Sequence, residues 1–276
     1  MANSGGGTVG DVSWYPLPTT TIGGYDVVTS SRAELARAMV HDVHNRANFS
    51  RPRLIFDING HGLSLSETDG QYREALEAAD VIHADGAFLV ALSRWLADPS
   101  ISERSATTDL LTDFADAAAR EGFSFYLLGG TEEVNRQCAE VLVGRFPGLQ
   151  IAGRRNGFFS AGDVPALVED ISAARPDILW IGLGKPIEQR FAVAHGPDLG
   201  AAWVITCGGG FNFVTGHYKR APMWMQRWGL EWLHRVASRP GQLFWRYVST
   251  SPHAIWLIWR RAGRRSGRTG NTRHGE

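Results

Sequence analysis

The feature of this sequence that most constrains its fold is a series of short apolar runs, each closed by a glycine or polar turn. The runs lie at 53–58, 81–84, 123–128, 150–153, 178–182 and 202–206, with a further short strand expected at 25–30. Runs of about four to eight apolar residues are typical of buried strands. Strands that alternate with helical segments of about ten to fifteen residues predict an α/β fold with a doubly wound, mostly parallel sheet.

The segments between the apolar runs predict the helices. Ser31 is placed to cap the first of them, because a serine hydroxyl accepts a hydrogen bond from an N–H group of the first turn. Helices are expected at 32–46, 72–79, 86–96, 107–121, 132–145 and 187–195. The Asn-Gly-His-Gly segment at 59–62 is predicted to form a loop.

Polar and glycine residues collect where the predicted strands end. They are Asn59, Asp85, Gly129–Thr131, Lys185-Pro186 and Gly208–Asn212. In an open α/β sheet the loops that follow the strands line the ligand crevice. The sequence therefore predicts a single crevice to which five loops contribute.

The turn Gly129-Gly130-Thr131 has two interpretations. Backbone N–H groups at a glycine-rich helix start suit a phosphate, but a glycine pair after a strand is also a common tight turn. The chain has neither the GxGxxG pattern of dinucleotide-binding folds nor the GxxxxGK[ST] pattern of phosphate loops. A nucleotide-dependent oxidoreductase or a phosphate-loop NTPase is therefore disfavoured.

Four other polar residues are candidates for chemistry. Asp85 is either the N-cap of the following helix or a general base that deprotonates an attacking hydroxyl. Arg104 is either a solvated arginine or the partner of a diphosphate or sugar carboxylate. His61 and His83 have no partner at a metal-ligand spacing, so we predict no metal site.

Composition predicts how the chain is divided. With 276 residues, of which 43% are hydrophobic and 20% charged, it has a globular composition. Residues 1–22 lack signal-peptide features and are expected to be a flexible leader, followed by a core at 23–216. A C-terminal appendage is expected at 217–262 and a disordered basic tail at 263–276. Cys138 and Cys207 make neither a metal nor a redox spacing.

The region from residue 217 onward differs sharply from the rest of the chain. It has twelve basic and two acidic residues, hence a formal charge of +10, whereas the preceding residues carry −10. Six of the ten tryptophans are also here, at positions 224, 228, 232, 245, 256 and 259. Tryptophan and arginine favour the headgroup level of an anionic membrane surface. We therefore expect membrane-surface binding and not nucleic-acid binding; alternatively, Trp224, Trp228 and Trp232 form the core-facing stripe of one helix.

Several short motifs resemble those of the WecG/TagA/CpsF family, glycosyltransferase family 26. The resemblance extends from about Tyr25 to Tyr247. Its motifs are ADG (84–86), ERSATTD (103–109), YLLGG (126–130), GLGKP (182–186), GGGFNFVTG (208–216), KRAPMW (219–224), GLEWLHR (229–235) and RY (246–247). It implies a Rossmann-like core with a basic, tryptophan-rich, helical appendage that associates with the membrane.

The resemblance also implies an activity. An inverting, metal-independent transferase without a cofactor would move a hexose-type sugar, N-acetylmannosamine-like or a uronic acid, from a UDP-sugar to a polyprenyl-diphosphate-linked glycan. The enzyme would be cytoplasmic and peripheral on the inner face of a bacterial membrane. A homo-oligomer is a further expectation, because tryptophan faces can pair in solution. The alternative is a non-catalytic, membrane-associated nucleotide-sugar-binding member of the family.

The resemblance implies roles for individual residues. Asp85 falls on the catalytic base, Arg104 on the pocket arginine, Asn59 on the pocket asparagine, and Gly129-Gly130 on the nucleotide-binding turn. The other residues expected to bind substrate are Asp57, Lys185, Glu188, Gln189, Asn212, Lys219 and Arg220.

Four positions depart from the family pattern. Asp57 and Thr108 stand where threonine and glycine are usual. Pro186-Ile187-Glu188-Gln189 replaces PxQE and places Glu188 at the expected uracil contact, and Asn212 replaces the aspartate expected to hold the ribose. These departures concern the donor and leave the reaction class unchanged.

Overall fold

One eight-stranded sheet organises the protein. The computed structural model describes residues 13–228, 230–238 and 240–266. The strands are β1 (Thr19–Ile22), β2 (Tyr25–Val28), β3 (Arg53–Ile58), β4 (Val81–Ala84), β5 (Ser124–Gly129), β6 (Gln150–Arg155), β7 (Ile178–Gly182) and β8 (Trp203–Thr206). Their spatial order is β1-β2-β4-β3-β8-β7-β5-β6, with β1 antiparallel to β2 and the other neighbouring pairs parallel. The prediction of an α/β fold with a mostly parallel sheet is confirmed.

Helices cover both faces of the sheet. Within the described residues they are α1 (Arg32–His44), α2 (Gly60–Thr68), α3 (Gly70–Glu77), α4 (Ala87–Leu96), α5 (Thr107–Glu121), α6 (Glu132–Arg145), α7 (Val164–Ala174), α8 (Ile187–His195), α9 (Gly210–Val214), α10 (Met223–Arg227), α11 (Glu231–Ser238) and α12 (Pro240–Ser266). Helices α2, α3, α4, α7, α8 and α12 contribute to the core on one face, and α1, α5, α6 and α9 to the core on the other.

The central strand β7 is apolar throughout because both of its faces are buried. In β7, Leu179 and Ile181 face one core, whereas Ile178 and Trp180 face the other. All four side chains are fully buried. A strand enclosed in this way has no solvent-facing side, so it shows a continuous apolar run and not an alternating pattern.

The segment predicted as a loop at 59–62 is instead the start of helix α2. The side chain of Asn59 caps the helix by accepting a hydrogen bond from the Gly62 N–H group at 3.0 Å. The two glycines are poor helix formers, but their lack of a side chain allows neighbouring residues to pack closely against them. A Cβ on Gly60 would lie 3.1 Å from Phe88, and one on Gly62 would lie 2.9 Å from the Tyr72 hydroxyl. The cap and the tight packing outweigh the low helix propensity of glycine.

The prediction of a flexible leader at 1–22 is wrong for its described part. Strand β1 pairs with β2 and forms an edge of the sheet. Before it, the rings of Trp14 and Phe49 stack with centroids 3.5 Å apart, and the Tyr15 N–H group donates to Asp42 at 2.8 Å. The sheet therefore begins before residue 23, and residues 1–12 lie outside the described part of the chain.

Helix α12 holds the β1–β2 turn in place. The Arg261 guanidinium donates to the carbonyl oxygen of Gly23 and pairs with Glu67 of α2. Gly23 and Gly24 both have positive φ angles, and a Cβ on Gly24 would lie 2.9 Å from the Arg261 guanidinium. The first hairpin and the last described helix are thus in direct contact.

In the C-terminal region, residues 217–276, the spacing of Trp224, Trp228 and Trp232 predicts one helix, but the structure places these residues in two helices and the segment between them. Trp224 lies in α10, Trp228 follows that helix, and Trp232 lies in α11. These side chains are 59%, 79% and 45% exposed, so the core-facing alternative is wrong. The disordered tail predicted at 263–276 is helical as far as Ser266, and its remainder lies outside the described residues.

Helix α12 has two different faces. Ala254, Leu257 and Ile258 are buried in the core beside α2, whereas Trp256 and Trp259 are 47% and 72% exposed. In the described part of the chain, no helix combines the length and apolarity that crossing a membrane requires.

Candidate functional site

The ends of β3 and β4 bring two predicted site residues together. In the parallel register, Ile58 is paired with Ala84, and the Asp85 N–H group donates to the Ile58 carbonyl oxygen at 2.9 Å. Asn59 and Asp85 therefore leave the sheet side by side. The N-cap of α4 is Gly86, so the interpretation of Asp85 as the helix cap is wrong. Asp85 is half-buried at the carboxyl edge of the sheet, the edge at which the sequence predicts the crevice.

Asp57 and Lys185 form a closed ion pair in the crevice. The Lys185 ammonium is bound to the Asp57 carboxylate, and the two side chains are 10% and 3% exposed. Asn59 donates a second hydrogen bond to Asp57 at 3.2 Å. Burial lowers the pKa of Lys185, but Asp57, with help from Tyr72 and Glu188, outweighs this and holds it above its ordinary value. The lysine is therefore charged, and its charge is compensated.

His83 is a core residue in this structure. Its Nδ1 lies 2.8 Å from the Ser105 carbonyl oxygen, which makes that nitrogen the donor. The side chain is fully buried, and burial lowers the pKa of His83 to about 4, so the ring is neutral at physiological pH. Among the described residues no group of three or more His, Cys, Asp and Glu is arranged to hold a metal ion.

The predicted nucleotide turn at Gly129-Gly130 is tightly packed. Gly129 has φ of 132°, and a Cβ on it would lie 2.3 Å from the Gly182 carbonyl oxygen. The Gly130 N–H group points to that same oxygen at 3.3 Å. Close packing of the two turns thus accounts for Gly129, and the positive φ of 69° accounts for Gly130. The first turn of α6 also carries Glu132 and Glu133, which disfavour an anion there, so phosphate binding at this turn stays a prediction.

Glu188 joins two of the glycine turns. Its Oε2 accepts hydrogen bonds from the N–H groups of Gly184 (3.0 Å) and Gly208 (2.9 Å). Burial, followed by the nearby charge of Asp57, raises the pKa of Glu188 to about 7, although Lys185 and the two N–H groups favour the ionised form. Gln189 donates to Glu188 at 3.2 Å and to Thr206 at 3.3 Å. Both acidic and amide side chains are fully buried, and their contact with a nucleotide stays a prediction.

Arg104 connects the crevice to the C-terminal region. The Ser105 N–H group donates to the Ala84 carbonyl oxygen at 3.0 Å, which places the Arg104 loop beside the end of β4. Arg104 Nη1 lies 2.6 Å from Glu231 Oε2, and the two side chains are 20% and 7% exposed. Arg104 also lies 3.8 Å from Asp109. Sequence reasoning missed this use of Glu231, and its signal was an isolated acid within a strongly basic region.

The remaining predicted residues lie at the rim. Arg220 makes two hydrogen bonds to Asp109, one of them at 2.9 Å. Lys219 is exposed. Asn212 lies in α9 and is half-buried, and its carbonyl oxygen accepts from the Tyr218 N–H group at 2.9 Å. The structure therefore brings Asp57, Asn59 and Lys185 into direct contact, with Asp85 beside them.

The sequence is similar to those of known glycosyl transferases. The family described as "Glycosyl transferase WecG/TagA/CpsF family" matches residues 20–268 of the chain. A relative from Bacillus spizizenii is 29% identical over 188 residues, which cover 68% of this chain and 71% of the relative. That protein is named N-acetylglucosaminyldiphosphoundecaprenol N-acetyl-beta-D-mannosaminyltransferase.

Proposed function

The chain belongs to the WecG/TagA/CpsF family of glycosyl transferases, and on this premise we propose that it moves a hexose-type sugar from a UDP-sugar to a polyprenyl-diphosphate-linked glycan. The observation that carries the proposal is the meeting of Asp85, Asn59 and the Arg104 loop at the carboxyl ends of β3 and β4. This edge is where an α/β sheet binds its ligand. The relative's name supports the acceptor class.

Asp85 is the proposed general base. The hydroxyl oxygen of the acceptor attacks the anomeric carbon, the bond from that carbon to the diphosphate breaks, and the hydroxyl proton passes to the Asp85 carboxylate. UDP leaves with the bonding electrons. Attack from the face opposite the leaving group inverts the anomeric centre, so the base must approach from that side.

The leaving diphosphate needs positive charge and N–H donors. Described cations with exposed surface in this part of the protein include Arg104, Arg220 and Lys219. A guanidinium has five donors, so Arg104 can keep its bond to Glu231 and offer others to a phosphate. We propose that these groups stabilise the leaving group in a reaction that uses no metal ion or cofactor.

The C-terminal region is proposed to bring the enzyme to its lipid-linked acceptor. Trp228, Trp245 and Trp259 are all more than 70% exposed, and they lie in a region with a strong positive charge. Such a surface suits the headgroups of an anionic membrane. The protein would then act as a peripheral enzyme on the cytoplasmic face.

One transfer assay tests the proposal. The full chain is incubated with a panel of radiolabelled UDP-sugars and a lipid-diphosphate-linked N-acetylglucosamine, and lipid-linked product is separated by chromatography. Transfer of label to the lipid from at least one sugar is expected. Binding of UDP-sugars without transfer would favour the non-catalytic alternative, and absence of both binding and transfer would overturn the proposal.

A further inference from the structure

Glu188 connects two of the turns that the sequence assigns to the crevice, and it does so from inside the protein. Its Oε2 accepts hydrogen bonds from the N–H groups of Gly184, in the turn after β7, and Gly208, in the turn after β8. These bonds are 3.0 and 2.9 Å long. The Glu188 N–H group also donates to the Gly184 carbonyl oxygen at 3.1 Å. The backbone and the side chain of Glu188 therefore both hold the turn after β7.

The acceptor atoms of this carboxylate are directed at the protein. A carboxylate oxygen has about two lone-pair sites, so the N–H groups of the two turns occupy Oε2. Gln189 donates to Oε1 at 3.2 Å, and Glu188 is 0% exposed. In this conformation Glu188 offers no exposed acceptor to a base that lies above the turns. The geometry therefore disfavours the uracil contact that the resemblance implies.

A third turn is packed against the two that Glu188 joins. The Gly130 N–H group points to the Gly182 carbonyl oxygen at 3.3 Å. On its other side, a Cβ on Gly182 would lie 3.0 Å from the Gly208 carbonyl oxygen. The turns after β5, β7 and β8 are thus packed backbone against backbone, and displacement of one of them would disturb the other two.

We infer that Glu188 is a positioning residue, which holds the turns after β7 and β8 in the geometry that binds the donor nucleotide without contacting the nucleotide itself. The inference rests on the proposed transfer from a UDP-sugar. Nucleotide contacts are expected from Gly129-Gly130 and Asn212, which lie in or directly after these turns, so loss of the Glu188 bonds should weaken nucleotide binding. Asp85 follows β4, which β3 separates from β8, so the chemical step should change less.

Two substitutions at Glu188 separate its hydrogen bonds from its charge. Glu188→Gln keeps an oxygen that can accept from both N–H groups, whereas Glu188→Met has a similar length and only a weak acceptor. Calorimetric titration with UDP should give a Kd within about threefold of the wild-type value for Glu188→Gln, and about tenfold or more above it for Glu188→Met. In Glu188→Met, the KM for the UDP-sugar should rise with this Kd, and kcat should stay within about threefold of the wild-type value.

Titration with CDP distinguishes positioning from recognition of the base. Uracil has an N3–H donor where cytosine has an acceptor, so a carboxylate that contacts uracil contributes to a preference for UDP over CDP. A positioning residue supports the binding of both nucleotides. The Kd values of Glu188→Met for CDP and UDP should therefore rise together, and their ratio should equal that of the wild type.

Asp177 provides a matched control at the opposite edge of the sheet. It directly precedes β7 and accepts a hydrogen bond from the Ser124 N–H group of the neighbouring strand β5 at 2.8 Å, so its carboxylate also joins two chain segments. Asp177→Asn and Asp177→Leu match the two Glu188 variants. Asp177→Leu should lower the thermal unfolding temperature, as Glu188→Met does, but should keep the wild-type Kd for UDP.

Amide hydrogen exchange tests the two bonds in the wild type, so a Glu188→Met variant that does not fold leaves the inference testable. The N–H groups of Gly184 and Gly208 should exchange slowly, because a buried carboxylate holds both. Rapid exchange of either group would contradict the clamp.

Three outcomes of the titrations would also overturn the inference: an unchanged UDP Kd in folded Glu188→Met, equal weakening in Glu188→Gln, or a changed ratio of the CDP and UDP values. The titrations do not require turnover, so they separate this inference from the proposed function. UDP binding that depends on Glu188, without transfer of any sugar, supports the positioning role and contradicts the proposed reaction. Sugar transfer combined with wild-type UDP affinity in Glu188→Met does the reverse.

Discussion

Asp85 is the side chain whose replacement should separate turnover from binding. It lies half-buried at the end of β4, and Asp85→Asn keeps the shape while removing the basic carboxylate. We expect turnover to fall by roughly 10²–10⁴-fold, the usual contribution of general base catalysis, with UDP affinity unchanged. Transfer of radiolabel and calorimetric titration with UDP measure the two quantities.

Asp198 offers a control for this substitution. It is an exposed aspartate in the turn that precedes β8, at the opposite edge of the sheet from Asp85. Asp198→Asn should leave both turnover and UDP binding at wild-type values. Normal turnover in Asp85→Asn, or loss of UDP binding in that variant, would contradict the assignment of Asp85 as the base.

Glu188 should give the protein a stability that depends on pH. Its folded-state pKa is raised to about 7 from an ordinary value of 4.5. Between these values the folded state binds more protons than the unfolded state, so the contribution of Glu188 to stability falls as pH rises. The shift corresponds to a change of up to about 3 kcal/mol between pH 4 and pH 8.

Comparison with Glu188→Gln isolates this effect from other titrating groups. His83 acts in the opposite direction, because its lowered pKa makes stability fall as pH drops through about 4 to 6. Denaturant unfolding measures the free energy of unfolding of both proteins at pH 5 and at pH 8. From pH 5 to pH 8, the free energy of unfolding of the wild type should fall relative to that of Glu188→Gln. Glu169→Gln changes an exposed residue, so its free energy of unfolding should show the same pH dependence as that of the wild type. A constant difference between wild type and Glu188→Gln would refute the prediction.

Among the structural elements, the junction of β5 and β7 depends most on glycine. Gly129 has a φ of 132°, and an alanine Cβ would lie 2.3 Å from the Gly182 carbonyl oxygen. We expect Gly129→Ala to reduce the free energy of unfolding by about 3 kcal/mol or more, since backbone strain and the clash act together. Urea denaturation measures this change.

Gly144 is the control position, because the same glycine-to-alanine substitution should there raise the free energy of unfolding. It lies in the last turns of α6, and outside its chain neighbours and the backbone of its own helix no described heavy atom lies within 4 Å of a Cβ built there. Gly144→Ala should stabilise the protein by about 0.5 kcal/mol, because alanine favours the helix. Equal effects of the two substitutions would show that the packing at Gly129 has been misjudged.

The elements with strong local signals were predictable from sequence. The helices Thr107–Glu121, Glu132–Arg145 and Ile187–His195 are confirmed with the predicted bounds, because caps, glycines and buried strands delimit them. Helix α7 was missed although Pro165 stands at its start, where proline favours helix formation. Strand β1 was missed because Thr19–Ile22 has three threonines and no apolar run.

The sequence predicts the location of the candidate site but not the contacts between its side chains. Parallel strands end at a common edge, so the position of Asn59 and Asp85 followed from the apolar runs before them. The interaction partners of the site residues could not be predicted from these runs. Arg104 and Glu231 are 127 residues apart, and their pairing depends on how α11 packs against the loop before α5. The isolated position of Glu231 in a basic region suggests an ion pair but does not identify its partner.

At the scale of the whole molecule, the exposed tryptophans of the C-terminal region should control membrane binding. Trp228, Trp245 and Trp259 are 79%, 72% and 72% exposed, so replacing them leaves the core intact. The triple variant Trp228→Ser, Trp245→Ser, Trp259→Ser should bind vesicles containing phosphatidylglycerol roughly tenfold or more weakly, because buried indole surface is lost. Vesicle sedimentation measures the bound fraction.

Trp95 is the control for this experiment. It is 87% exposed but lies at the end of α4, outside the C-terminal region, so Trp95→Ser should sediment with vesicles as wild type does. Substitution is a better test than deletion of the region, because deletion would also uncover the core around Ala254 and Leu257. Undiminished sedimentation of the triple variant would exclude these tryptophans as the membrane anchor.

The clamp of Arg261 on the β1–β2 turn has a consequence for the order of folding during synthesis. Gly23 leaves the ribosome early, but the arginine that holds its carbonyl oxygen is made 238 residues later. A contact of such long sequence separation forms slowly and late. The nascent chain therefore carries a hairpin without this contact until α12 has emerged, and β1 is among the last strands to be held in place.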